Sequence, residues 1–175
     1  MALRGAKALS ITAAARVGDT AEYRRWFGRY SDRNGEIVRA NLKALVAAIR
    51  GGGVVIRCEA GNQGGCDSRD YAWVYARQAF VLRLCPAFFN LPAMKALQPG
   101  EPQSNDGTRE GAILHELSHF AQTADTEDHC YSRSECARLA TRDPGRAIAN
   151  ADSYQYFAED VSHYARHPQP SVSGN

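Results

Sequence analysis

The chain has 175 residues, a formal net charge of +2, 44% hydrophobic residues and 23% charged residues. That balance suits a globular protein with its own hydrophobic core and excludes disorder as the main state. No apolar run is long enough for a membrane span, and no block of like charge marks a nucleic-acid surface.

The first third reads as helices. Residues 2–17 are alanine-rich and lack proline, and Tyr23, Trp26, Phe27 and Tyr30 then lie near one face at helical spacing. Asn34 is placed to cap a third helix carrying Val38, Leu42, Leu45 and Ile49, which Gly51-Gly52-Gly53 ends. The period changes after that. Residues 54–58, 71–75 and 80–84 read as strands of a small antiparallel sheet, with a Gly/Asn-rich turn over 59–65. Pro86, Pro92, Pro99 and Pro102 punctuate the approach to a helix expected from Thr108 to Thr123, with Ile113, Leu117, Phe120 and Ala121 on its apolar face. A polar loop follows over 124–133, then a short helix over 134–141. Asp143-Pro144 suits the cap and first turn of a last helical region reaching about Arg166. Residues 1–167 form one expected domain, and 168–175 an expected flexible tail.

Chemistry concentrates at His115-Glu116-Leu117-Ser118-His119, an H-E-x-x-H pattern. On a helix, positions i and i+4 share a face, so two imidazoles can reach one ion. Zinc accepts two neutral imidazoles and one further protein ligand while keeping a position for water. Glu116, between them, is placed to act as general base toward that water. The third ligand is open on spacing alone. The following loop supplies Asp125, Glu127, Asp128 and His129, and later helices supply Glu135 and Glu159. Spacing divides the choice among Asp128, His129 and Glu159.

The segment Asp125-Thr126-Glu127-Asp128-His129-Cys130-Tyr131-Ser132 resembles the G-T-x-D-x-x-Y-G signature of the deuterolysin and peptidyl-Lys metalloendopeptidase family, the aspzincins. Asn150-Ala151-Asp152, followed by Phe157-Ala158, is similar to that family's N-A-D-x-x-x-x-F-A segment. Tyr23 with Trp26-Phe27-Gly28, and Leu84-Cys85-Pro86 with Phe88-Phe89, resemble its bacterial members. The resemblance implies an α+β, zincin-like domain: N-terminal helices, a small sheet, the H-E-x-x-H helix and a helical C-terminal part. It implies one zinc per chain on His115, His119 and Asp128, with Glu116 as general base and Tyr131 supporting the transition state. The implied activity is a zinc-dependent endopeptidase acting on protein or peptide substrates. In lysine-specific members acidic groups receive the substrate ammonium after the scissile bond. Asp152 matches one such position, and Gln155 stands at the other. Both glycines of the signature are replaced, by Asp125 and Ser132, so a differently shaped loop is expected there.

Five cysteines, an odd number, point to an oxidising compartment and to secretion or another export route, although residues 1–17 do not form a clear signal peptide. Loop length favours a Cys130–Cys136 bridge beside the tyrosine loop, and Cys66–Cys85 is a plausible second. Cys58 is then spare, or competes with either partner. The expected protein is a monomer with no nucleic-acid or membrane partner. Rival readings are a peptidase using Glu159 as third ligand, a zinc-stabilised binding or effector module without turnover, and a toxin-like peptidase with one narrow target.

Overall fold

The computed structural model of the protein describes residues 1–60, 65–67, 69–97 and 105–166, with backbone alone at 164–166. The expected tail over 168–175, and parts of the expected Gly/Asn-rich turn and proline-rich approach, lie outside these residues. Three helices come first: α1 (Ala2–Arg16), α2 (Ala21–Phe27) and α3 (Asp32–Arg50). α1 buries Ala6, Leu9, Ser10, Ala13 and Ala14. These mostly small side chains let it lie against α3 and two later helices, α4 and α7. α3 begins earlier than expected. Ser31, whose hydroxyl accepts the Asn34 N–H, is its cap, so Asn34 is the bonded partner rather than the cap.

The sheet has strands β1 (Val55–Cys58), β2 (Ala72–Val74) and β3 (Val81–Leu84) in the order β1-β3-β2. β2 and β3 are antiparallel, but β1 runs parallel to β3, so the sheet is mixed rather than antiparallel throughout. Chain length explains both pairings. A short turn joins β2 to β3 and forces antiparallel pairing, whereas β1 reaches β3 only after a connection long enough for a parallel return. Two short 3-10 turns, Pro86–Asn90 and Met94–Ala96, lead toward α4.

α4 (Arg109–Ser118) is capped by Thr108, whose hydroxyl accepts the Gly111 N–H. It stops at Ser118 rather than Thr123. The Thr123 hydroxyl takes up the Leu117 and Phe120 carbonyls, and the Thr126 N–H takes that of Ser118. Carbonyls that a longer helix would use are thereby satisfied, and the chain turns back over the helix end. α5 (Arg133–Arg142) and α6 (Pro144–Ile148) follow, with Asp143 capping α6 as its side chain accepts the Arg146 N–H. α7 (Ala151–Arg166) is buried at every side chain from Ala151 to His163. Its Tyr154 and Phe157 pack with Phe27 from α2, and Phe157 also packs with Tyr23. Asp152, Ser153, Gln155, Glu159 and Asp160 find partners within the protein, whereas the buried Ser162 hydroxyl has no hydrogen-bond partner among the described residues. Asp160 accepts from the Trp26 indole at 2.8 Å and from Arg133 at 2.7 Å, as buried charge requires.

Both expected bridges are present, Cys66–Cys85 and Cys130–Cys136. Cys58 is a free, exposed thiol across from Leu84 in the β1–β3 register. No helix among the described residues is long and apolar enough to cross a membrane.

Candidate metal centre and its cleft

His115 projects from the last turn of α4 and His119 from the residue that caps the helix, still near helical angles, and the returning loop brings Asp128 to them. Asp128 Oδ1 lies 3.3 Å from His115 Nε2 and 3.7 Å from His119 Nε2. The imidazole rings stand 4.9 Å apart and nearly perpendicular. One ligand atom from each of the three residues lies within 4.8 Å of the others.

The opposite ring nitrogens are also engaged. His115 Nδ1 is 2.7 Å from Asp152 Oδ1, and His119 Nδ1 is 2.9 Å from the Thr126 carbonyl. With each Nδ1–H donating outward, each Nε2 faces the common centre and offers it a lone pair once its own proton is lost. Two nitrogens and one carboxylate oxygen, converging with their orienting partners already in place, form a donor set that fits zinc.

Other candidates are occupied elsewhere. Glu159 is 1% exposed; its carboxylate accepts from the Thr108 N–H and hydroxyl at 2.8 Å and from Arg133 at 2.6 Å. This corrects the reading of Glu159 as a third ligand: a carboxylate buried this deeply is matched by charge and donors, and Arg133 supplies them. His129 faces Arg146 and Glu127, and its backbone N–H donates to Asn150.

Electrostatics of the site follow from burial and crowding. Burial alone would lower the His115 pKa, but Asp128 and Asp152 outweigh it and hold this imidazole well above its ordinary range. Burial lowers the pKa of His119, and the neighbouring His115 adds to the effect. Burial pushes Glu116 up to about 7 against the pull of His115. Asp128 stays low despite burial, because His115 hydrogen-bonds to it. Burial and the nearby Asp128 push Tyr131 up to about 12.

These residues open onto a cleft of about 1130 Å³. Its wall includes Ala72, Trp73 and Val74 of β2, the edge strand beside α4. Tyr131 stands at the rim, 60% exposed. Asp152 lines the cleft but is only 6% exposed, with one oxygen bonded to His115. Gln155 lines it as well, 4% exposed and 3.5 Å from Glu159.

The loop that carries Asp128 and Tyr131 keeps positive φ where the signature glycines are replaced: 50° at Asp125 and 69° at Ser132. Ser132, at ψ 152°, occupies a region otherwise left almost entirely to glycine. The substitutions are thus met by strain at Ser132 rather than by a retreat to ordinary backbone angles.

Sequence reasoning gave no role to Thr126, Arg133 or Asn150. A backbone carbonyl such as that of Thr126 has no side-chain signature. Asn150 begins the Asn150-Ala151-Asp152 segment that resembles the family's N-A-D motif, and that is its signal in the sequence.

A family model described as "Lysine-specific metallo-endopeptidase" matches residues 12–159. An extracellular protease from Aeromonas hydrophila is 33% identical over 139 residues, covering 79% of this chain and 36% of that protein. A peptidyl-Lys metalloendopeptidase from Pleurotus ostreatus is 30% identical over 144 residues, covering 82% of this chain and 76% of that protein. The structure of a zinc peptidase from Grifola frondosa superposes with a TM-score of 0.75 at 25% identity, covering 92% of this chain and 91% of the other. This chain therefore spans about a third of the Aeromonas protein and most of the solved fungal peptidase chain. It belongs to the aspzincin family of lysine-specific metallo-endopeptidases.

Proposed function

We propose that the protein is a zinc-dependent endopeptidase, holding one zinc on His115, His119 and Asp128. The observation that carries this reading is the convergence of both Nε2 atoms and Asp128 Oδ1, with Asp152 and Thr126 fixing the imidazoles from behind. Bound zinc would supply a Lewis acid for the scissile carbonyl and for the attacking water. Glu116, pushed by burial to about 7, is suited both to accept the water proton at its carboxylate and to return it to the departing amine. Tyr131, at the cleft rim, donates its hydroxyl proton in a hydrogen bond to the carbonyl oxygen as charge develops there. An extended substrate can pair with the β2 edge along the cleft wall.

Lysine is the residue we infer after the scissile bond. Asp67, Asp70, Asp106 and Asp152 line the cleft against Arg69, so its field attracts a cation. Asp152, matching the family position, is the proposed acidic contact. The names of the fungal relatives point the same way. The two bridges and the extracellular Aeromonas relative support export. All three proposed ligands come from a single chain, so the proposed site needs no residue of a second copy.

The test is digestion of an unfolded protein by the purified chain, with every cut mapped by mass spectrometry. Cuts with Lys on their C-terminal side, abolished by a chelator and reduced at least ~100-fold in Glu116→Gln, are expected from loss of general base catalysis. Absence of cuts by a chain that binds zinc would favour the binding-module reading.

A further inference from the structure

Asp128 is the proposed ligand that lies on neither a helix nor a helix cap. Its position depends on whatever holds the loop, and the loop's backbone donors show what that is. The Glu127 N–H donates to the Ala149 carbonyl at 2.8 Å. The His129 and Cys130 N–H groups both donate to the Asn150 side-chain oxygen, at 2.8 and 3.1 Å. The Ala151 N–H returns a bond to the Glu127 carbonyl at 3.1 Å. Backbone groups on both sides of Asp128 are thus bound to residues 149–151.

Asn150 is fully buried, and both ends of its amide are used. Its Nδ2 donates to Ser153 Oγ at 3.2 Å and lies 3.6 Å from the sulfur of Cys136, the bridge partner of Cys130. Two residues further on, Asp152 holds His115. A single turn of chain at the start of α7 therefore grips two of the three converging groups, one through loop backbone and one through an imidazole.

We propose that Asn150 is a positioning residue for the metal centre. It ties the Asp128 loop to the start of α7, and so sets Asp128 against the His115 that Asp152 orients. Its bonds lie outside the ligand set, and it touches neither His115 nor Asp128 by side chain in any bond described above. The inference rests on the zinc-site reading.

The test is zinc affinity by chelator competition, on the wild-type chain, Asn150→Ala and Asn150→Asp, at a temperature where circular dichroism shows each folded. Asn150→Ala removes both acceptor bonds and is expected to weaken zinc about 10–100-fold, the usual cost of losing an orienting partner. Asn150→Asp keeps an acceptor oxygen for His129 and Cys130, and its affinity should stay within about threefold of wild type by the same reasoning. A purely structural role would lower thermal stability in Asn150→Ala while leaving the affinity of the folded chain unchanged, and that result overturns the proposal. Should Asn150→Ala not fold, Asn150→Leu, which fills similar space without an acceptor, decides: a loss of zinc affinity of about tenfold or more supports the proposal, and affinity near wild type overturns it. Failure of the wild-type chain to bind zinc would instead overturn the reading of the site itself, and this inference with it.

Discussion

A protonated imidazole cannot ligate a metal, and His115 stands between two carboxylates that favour its cation, Asp152 at 2.7 Å and Asp128 at 3.3 Å. Without metal these neighbours outweigh burial and hold the His115 pKa well above its ordinary range. Zinc must displace that proton. Its affinity should therefore rise with pH, by about tenfold per unit for a single linked proton, until the His115 pKa is passed. Glu116, near 7, could release a proton of its own on zinc binding, so the measurement belongs in the Glu116→Gln chain. Calorimetry in buffers of different ionisation enthalpy should show close to one proton released per zinc. A pH-independent affinity with no proton release would show that the two carboxylates do not hold His115 charged.

Of the three non-glycine residues at positive φ among the described residues, two, Asp125 and Ser132, lie in the loop between α4 and α5. Ser132 sits at φ 69°, ψ 152°, directly before the buried Arg133 that Glu159 and Asp160 hold at 2.6 and 2.7 Å. Such a conformation costs a non-glycine residue about 1–3 kcal/mol. Glycine would relieve that strain and lose about 0.4–1 kcal/mol through its freer unfolded chain. Ser132→Gly should thus stabilise the protein by about 1 kcal/mol, raising the thermal midpoint by about 2–4 °C for a chain of this size. An unchanged or lower midpoint would mean that the Cys130–Cys136 bridge and the Arg133 anchor leave no strain to relieve. This loop also marks where the sequence is legible and where it is not. The i, i+4 spacing identified His115 and His119 as a pair on one helix face. Asp128 could not be separated from His129 and Glu159 by spacing, because only the fold assigns Glu159 to Arg133 and turns His129 toward Arg146. Strand periodicity identified β1, β2 and β3 but carries no information about neighbours, so the parallel β1–β3 pairing was out of reach.

Across the whole molecule, α7 is the organising element. It is buried along its described side chains, packs on α1, α2 and α4, and bears Asp152, Gln155 and Glu159. Polar residues on a helix usually signal a solvated face, which is why their roles were hard to read before the fold was known. Here they are buried: His115 answers Asp152, Arg133 and Thr108 answer Glu159, and Gln155 donates to Glu159. The aromatic core of Tyr23, Trp26, Phe27, Tyr154 and Phe157 holds α7 from one side, and α4 meets it from the other with the two histidines. The metal-binding reading is a claim about this arrangement as a whole, and its most direct test is the zinc content of the purified, gel-filtered chain beside Asp128→Ala. One zinc per wild-type chain is expected and, in a folded Asp128→Ala, an affinity lower by at least ~100-fold, because a three-ligand site has lost a charged ligand. An Asp128→Ala chain that keeps zinc as tightly as wild type would contradict that reading.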